Sequence, residues 1–174
     1  MRGRHKEILE FLDKSGAGIY TLLTRLTLRQ DTAEELMQEL FLRLSNSRGF
    51  EKSNCREAYA RKVAINLAFD WRRKLRQKVD SQDYACEVVS TDGSPLSKII
   101  RTEELEEMLN ALEKLNVNGR QLIVMRYIQQ QSYEDIAEQT GKTTHQVRAL
   151  CAKALKRLCD LMSTDNKKIS DKET

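Results

Sequence analysis

The chain has one proline, seven glycines and no alternating apolar and polar runs of strand length. Little turn chemistry remains for hairpins, and a β-rich fold is excluded. Four cysteines (Cys55, Cys86, Cys151 and Cys159) form no CxxC pair, and the only histidines are His5 and His145. Neither a zinc site nor a redox motif has the spacing it needs, so no metal or cofactor is expected. No apolar run approaches the roughly 18 residues of a membrane span, and no signal-peptide pattern occurs. A cytoplasmic protein with reduced thiols is expected.

What is present is helical. At 174 residues, with 40% hydrophobic and 32% charged, the chain can form one domain or two small helical ones. The expected fold is all-α, with two small helical domains joined by a flexible linker. The N-terminal domain is read as residues 1–79 and the connector as 80–98, rich in acids and serines around the single proline. The C-terminal domain is 99–163, and 164–174 is a polar tail expected to fray.

The most informative stretch is Gln131 to Leu161. Ser132-Tyr133-Glu134-Asp135 is a helix start, and Gly141 tolerates the left-handed turn that ends that helix. Thr143 to Gln146 repeats the capping pattern, so a second helix starts about three residues later, as in a helix-turn-helix. Ile136, Ala137 and Thr140 of the first helix are expected in the core, with Val147, Leu150, Cys151, Ala154, Leu158 and Leu161 of the second. His145, Arg148, Ala149, Ala152, Lys153 and Lys156 then point outward. From Lys142 to Arg157 there are five cations and no acid, which suits insertion between phosphate backbones. Ala149 and Ala152 let the helix backbone approach base edges. Arg120 to Ile128 reads as an apolar supporting helix, preceded by an acidic helix from Leu96 to Leu115.

The N-terminal half begins with two helical patterns within residues 5–28, separated by Ser15-Gly16-Ala17-Gly18. The first carries Ile8, Leu9, Phe11 and Leu12. A helix from about Asp31 to Ser45 follows, with capping choices Asp31–Glu34 or Thr32–Glu35. Its core stripe is Ala33, Leu36, Met37, Leu40, Phe41 and Leu44, and its other side carries Glu35, Gln38, Glu39 and Leu42. That acidic face with one leucine suits a basic, partly apolar protein surface. After a polar turn from Ser45 to Asn54, a helix runs from about Arg56 to Lys78. Tyr59, Lys62, Asn66, Phe69, Asp70 and Arg73 share about one third of its circumference. Rings interleaved with cations and an amide are what unpaired bases require. Residues 61–78 hold seven cations, Arg72 among them, against the single Asp70.

Two segments together resemble the extracytoplasmic-function group of bacterial RNA polymerase sigma factors. In the first, LLTRLT, TAEELMQELFLRL and ARKVAINLAFDWRR resemble that family's core-binding and promoter-melting helices. In the second, Leu112 to Leu158 resembles its C-terminal DNA-reading domain, including SYEDIAEQTGKTTHQVRALCAKALKRL. The resemblance implies that Glu35, Gln38, Glu39 and Leu42 dock on the clamp helices of the polymerase largest subunit. Tyr59, at a position where the family often has tryptophan, joins Lys62, Asn66, Phe69, Asp70 and Arg73 as the set that opens the duplex and reads the minus-ten element. It implies that Arg148, Ala149, Ala152 and Lys153 face the minus-thirty-five element, with Thr143, Thr144, Gln146 and Lys156 at phosphates or nearby edges. Core RNA polymerase and promoter DNA, duplex and single-stranded, are the implied partners; an inhibitory anti-sigma protein is a further candidate. Family members often have a proline where Asn116 or Val117 stands and Gly-Thr where His145-Gln146 stand. Leu150 and Leu155 replace arginines common in the recognition helix.

The leading expectation is a non-catalytic sigma factor. The alternative is a helix-turn-helix transcriptional regulator that never joins polymerase. A DNA-acting enzyme ranks last, because no α/β domain with a nucleophile or metal carboxylates is readable.

Overall fold

In the computed structural model the backbone is described for residues 2–79 and 95–170, and side chains for 5–77 and 103–163. The described residues contain no strand, and the chain divides into two units, Met1–Val89 and Ser90–Thr174.

The first unit holds α1 (Arg2–Thr27), α2 (Gln30–Asn46), α3 (Arg48–Lys52) and α4 (Arg56–Val79). Helix α1 is continuous, where the sequence suggests two helices. Gly16 is buried within it, and a Cβ there would meet Met37 of α2 at 3.7 Å, an ordinary contact distance. Packing against α2 outweighs the cost of a helical glycine, about 1 kcal/mol. Ile8, Ile19, Leu22, Leu23 and Leu26 are buried, but Leu9, expected in the same stripe, is 53% exposed.

The turn into α2 uses none of the expected capping pairs. Leu28 is left-handed at φ 60, and Arg29 is the extended N-cap, with no side-chain capping bond. Thr27, buried, donates to the Leu23 carbonyl at 2.9 Å and accepts from the Arg29 backbone N–H at 3.3 Å. The Asp31 carboxylate accepts from Arg29 Nη2 and from the Thr32 N–H, both at 2.8 Å. The Arg29 guanidinium, followed by that N–H, holds the Asp31 carboxyl down at about 2. Asp31 therefore secures the turn from inside the helix's first turn.

Helix α4 is the centre of this unit, packing against α1, α2 and α3. Ala60, Ala64, Ile65, Leu67, Ala68, Phe69 and Arg72 are all buried. At about 100° per residue they span more than half the helix circumference, a wider arc than its alanine stripe implies. Two sequence expectations fall with that arc. Phe69 is 0% exposed and belongs to the core, and Arg72, 6% exposed, is no part of a basic surface. Arg72 Nη1 instead donates to the carbonyl of Leu26 in the last turn of α1, at 3.4 Å, where a cation complements the helix dipole. The expected polar turn contains α3. Its Phe50 is buried beside Phe11 and Tyr59, with ring centroids at 5.3 and 6.2 Å.

The second unit holds α5 (Pro95–Glu113), α6 (Val117–Ile123), a π-helical turn (Val124–Ile128), α7 (Tyr133–Thr140) and α8 (Thr144–Ser170). Pro95 opens α5, so that helix begins inside the expected connector. Residues 80–94 of the connector, and Cys86 with them, lie outside the described residues. Where the family often has proline, Asn116 is the N-cap of α6 and accepts from the Gly119 N–H at 2.7 Å. The expected single helix Arg120–Ile128 becomes a short α-helix followed by the π turn, closed by Gln129 N–H to the Val124 carbonyl at 2.9 Å.

Leu122, Met125, Ile136, Ala137, Val147 and Cys151 form the core that joins α7 to α8, with half-buried Tyr133 packed against it. Burial raises the Cys151 thiol pKa, which keeps it a packing group. Leu150, expected in this core, is 40% exposed, and Leu161 is only half-buried. Thr140 is exposed, its hydroxyl donating to the Ile136 carbonyl at 2.7 Å. The buried stripe of α8 is centred on Val147, Cys151, Ala154 and Leu158, and in so small a unit residues off that line have nothing to cover them. Helix α8 continues to Ser170, into the expected tail; side chains from 164 on lie outside the described residues.

Two outcomes follow from the first unit. Phe69→Ala should cost about 3–5 kcal/mol in chemical denaturation, as for other buried phenylalanines; a near-zero loss would mean that the ring is exposed. Asp31, with a depressed folded pKa, contributes stability in full above the ordinary value of 3.8 and loses it as pH falls toward about 2. The melting-temperature gap between the native chain and Asp31→Asn should therefore be present above that window and close within it.

Candidate nucleic-acid interface

The C-terminal surface is built by two well-capped helix starts. Ser132 Oγ accepts from the Asp135 N–H at 3.0 Å while Asp135 accepts from the Ser132 N–H at 3.3 Å. After α7, Gly141 turns the chain at φ 65. Thr143 Oγ1 then accepts from the Gln146 N–H at 3.2 Å, and Gln146 Oε1 from the Thr143 N–H at 3.0 Å. Both first-turn ends are satisfied locally, so the α7–turn–α8 geometry is held before any ligand arrives.

The face this presents is the expected one in exposure. Thr143, Gln146, Arg148, Ala149, Ala152, Lys153 and Lys156 are exposed, and Thr144 is half-buried. Their availability differs. Thr143 and Gln146 cap each other, whereas Arg148 reaches back to α7, its Nη2 3.5 Å from Glu134 Oε1. Ala149, Ala152, Lys153 and Lys156 form a face of small side chains and cations suited to a groove lined by phosphates.

In the first unit, α2 and α4 enclose an open groove of about 530 Å³. It is lined by Glu39, Leu42, Arg43, Asn46, Ser47, Tyr59, Val63 and Asn66. Members of two sets expected to act separately therefore share one cleft. Tyr59 stands in its wall, with its hydroxyl 2.8 Å from Ser47 Oγ, which also accepts from the Phe50 N–H at 3.2 Å. Lys62 is exposed on the same side of α4. Further along, Arg73 Nη2 donates to Asp70 Oδ1 at 2.6 Å, so these two form an exposed ion pair. Phe69 is the one member of the expected strand-reading set that is sealed away. Of the acidic patch, Glu35 and Gln38 are exposed, Leu42 is 55% exposed, and Glu39 pairs with Arg43 at 2.9 Å.

Sequence reasoning missed Arg43, Asn46, Ser47 and Val63 as groove residues. The signal was Phe50, the single large apolar residue of the supposed polar turn, which folds that segment back against α4. It also missed the tie between Arg148 and α7, which no periodicity encodes.

The description "Sigma-70 region 2" matches residues 13–78, and "Sigma-70, region 4" matches residues 105–158. The chain is 25% identical over 165 residues to the ECF RNA polymerase sigma factor SigX of Bacillus subtilis (strain 168), covering 89% of this chain and 83% of that protein. Among solved structures, it is similar to the sigma factor RpoE in complex with the anti-sigma factor NepR from Bartonella quintana. There the identity is 22% and the TM-score 0.53, over 92% of this chain and 99% of that one. It is also similar to CnrH in complex with the cytosolic domain of CnrY, with 15% identity and a TM-score of 0.51, over 90% and 87%.

The groove wall makes a direct test available. A Cβ at Gly49 would lie 2.8 Å from the Tyr59 hydroxyl oxygen, so Gly49→Ala must push the ring off Ser47. Gly49→Ala should be better tolerated in a Tyr59→Phe background, with a coupling of about 1 kcal/mol by double-mutant cycle. Additive effects in chemical denaturation would place Tyr59 elsewhere.

Proposed function

We propose, from the premise that this chain belongs to the extracytoplasmic-function group of the sigma-70 family and is an RNA polymerase sigma factor, a division of its work between the two surfaces. Matches to both region 2 and region 4, in order along one chain, do not favour a helix-turn-helix regulator that acts without polymerase. Residues 1–79 bind core polymerase and handle the minus-ten element. Residues 99–163 handle the minus-thirty-five element, and the stretch between them is the tether. A non-catalytic subunit working in the cytoplasm is part of this reading. Among the described residues no helix is long and apolar enough to cross a membrane. An anti-sigma protein is a candidate partner, as NepR is for RpoE of Bartonella quintana.

Glu35, Gln38, Glu39 and Leu42 are assigned to core polymerase. The exposure of Glu35, Gln38 and Leu42 supports this, since an exposed leucine on a face with two glutamates fits a basic, partly apolar surface. Tyr59, Lys62, Asn66, Asp70 and Arg73 are assigned to the opened strand. Tyr59 and Asn66 line a cleft that admits a displaced base, while Lys62 and Arg73 offer charge to its phosphates. Phe69 supports α4 from within and touches no strand. Arg148, Ala149, Ala152 and Lys153 are assigned to base edges in the major groove, and Thr143, Thr144, Gln146 and Lys156 to the flanking backbone.

The observation that carries the reading is the exposed face of the acid-free run from Lys142 to Arg157 that opens α8, its helix-turn-helix held by a capping box at each helix start, in a chain whose other unit opens a polar cleft beside Tyr59. Reconstituted transcription tests it. With cognate core enzyme the chain should give promoter-dependent initiation on some genomic template, and none on any template removes the reading. Arg148→Ala should cost about 1–3 kcal/mol and relax base preference at one position, whereas Lys156→Ala should weaken binding to all sequences alike. Equal, unselective loss from both would mean that the helix is facing another way.

A further inference from the structure

Arg148 is the arginine in the first turns of α8, and its surroundings are built from α7. Its guanidinium carbon lies 5.3 Å from the centroid of the Tyr133 ring, within cation–aromatic range. Arg126, within the π turn, lies over the same ring at 4.6 Å. Arg126 is itself tied down, its Nη1 donating to the Gln131 carbonyl at 2.7 Å. That carbonyl belongs to the turn in which Gln130 is left-handed, at φ 56. Tyr133 also packs on the core beneath, so the ring is held from below and by one cation before Arg148 reaches it.

Resting on the promoter-reading role assigned to Arg148, we propose that Tyr133 is a positioning residue that sets the base preference of the recognition helix. A free arginine must freeze several rotamers to make a two-pronged contact with a guanine edge, and that ordering opposes binding. A ring that holds the guanidinium near its bound position removes part of that cost, but only for the contact that needs the planar fork. Contacts to phosphate, which accept a cation in many poses, gain much less. Tyr133 therefore acts on discrimination more than on affinity. Glu134 cannot do the same work. Its carboxylate and the Arg148 side chain are 64% and 61% exposed, so their 3.5 Å pair is screened by solvent and salt. It occupies one edge of the guanidinium while no DNA is present, and a phosphate or base edge displaces it.

The test uses holoenzyme reconstituted from core polymerase and the full chain, and duplexes carrying each of the four base pairs at every position of the upstream element. Arg148→Ala identifies the position that Arg148 reads. At that position Tyr133→Leu should reduce the preference about twofold to fivefold, the range for losing one partly exposed cation–aromatic contact. Tyr133→Phe should retain it, and Tyr133→Met serves as a second ring-free variant, whose long flexible apolar side chain can still cover the core beneath. In an Arg148→Ala background, Tyr133→Leu should change discrimination no further. An unchanged preference in Tyr133→Leu and Tyr133→Met overturns the proposal, as does loss in Tyr133→Phe or an additive effect in the double variant. If the native holoenzyme discriminates at no position, the promoter reading itself fails, and this proposal goes with it. The two failures are thus told apart by the native chain alone.

Discussion

The burial of α4 on more than half its circumference is the constraint on which the first unit depends. Three other helices close on it, and the alanines at 60, 64 and 68 let their backbones come near. What remains is a narrow strip with Lys62 and Arg73 exposed and Tyr59, Asn66 and Asp70 half-buried. A helix so enclosed cannot shift to suit a ligand without opening the core, because packed interiors do not deform gradually. The strip is therefore narrow and well fixed, as the strand-reading role proposed for it would need. Phe69 shows where the strip ends: it is adjacent in angle to Lys62 but lies on the buried side.

The two units handle one recurrent problem alike. A helix that ends against other helices leaves carbonyls in need of donors. In the first unit the buried Arg72 reaches Leu26 in the last turn of α1; in the second the buried Arg120 reaches the carbonyl of Glu113, the last residue of α5, at 3.4 Å. Both arginines bring their charge to the negative end of a helix dipole, where it is favoured. Neither is available to DNA. Counting cations along the chain therefore overstates the basic surface, since at these two positions the charge is structural.

Most of the fold was legible because it is written in periodicity and caps. The stripes of α2 and α8, the capping boxes at Ser132 and Thr143, and the glycine turn at 141 depend on residues within one helical turn of each other. The errors came from longer range. Ser15 to Gly18 reads as a break unless α2 is known to cover it. Asp31 reads as a cap until Arg29 is seen beside it. Leu150 reads as core because its spacing is acceptable, yet it lies at the edge of the buried stripe and is 40% exposed. Site residues divide the same way: those on one exposed helical face were readable, while the groove needed α3 folded back, and the tie from Arg148 to Tyr133 spans two helices.

The groove between α2 and α4 also changes how the two tasks of the first unit relate. Glu39 and Leu42, assigned to the polymerase, and Tyr59 and Asn66, assigned to the opened strand, are walls of one cleft rather than opposite faces of the unit. A partner that covers Leu42 removes water from that wall, and electrostatic and hydrogen-bonding contacts to a base strengthen as the local dielectric falls. The Glu39–Arg43 pair sits at the same rim, 45–46% exposed in its side chains, and is the contact most easily re-paired when a basic surface approaches Glu39. On the assignments proposed for these residues, core enzyme and an unpaired base would meet at one cleft, and whatever factor one ligand changes the other's affinity by, thermodynamic reciprocity returns unchanged.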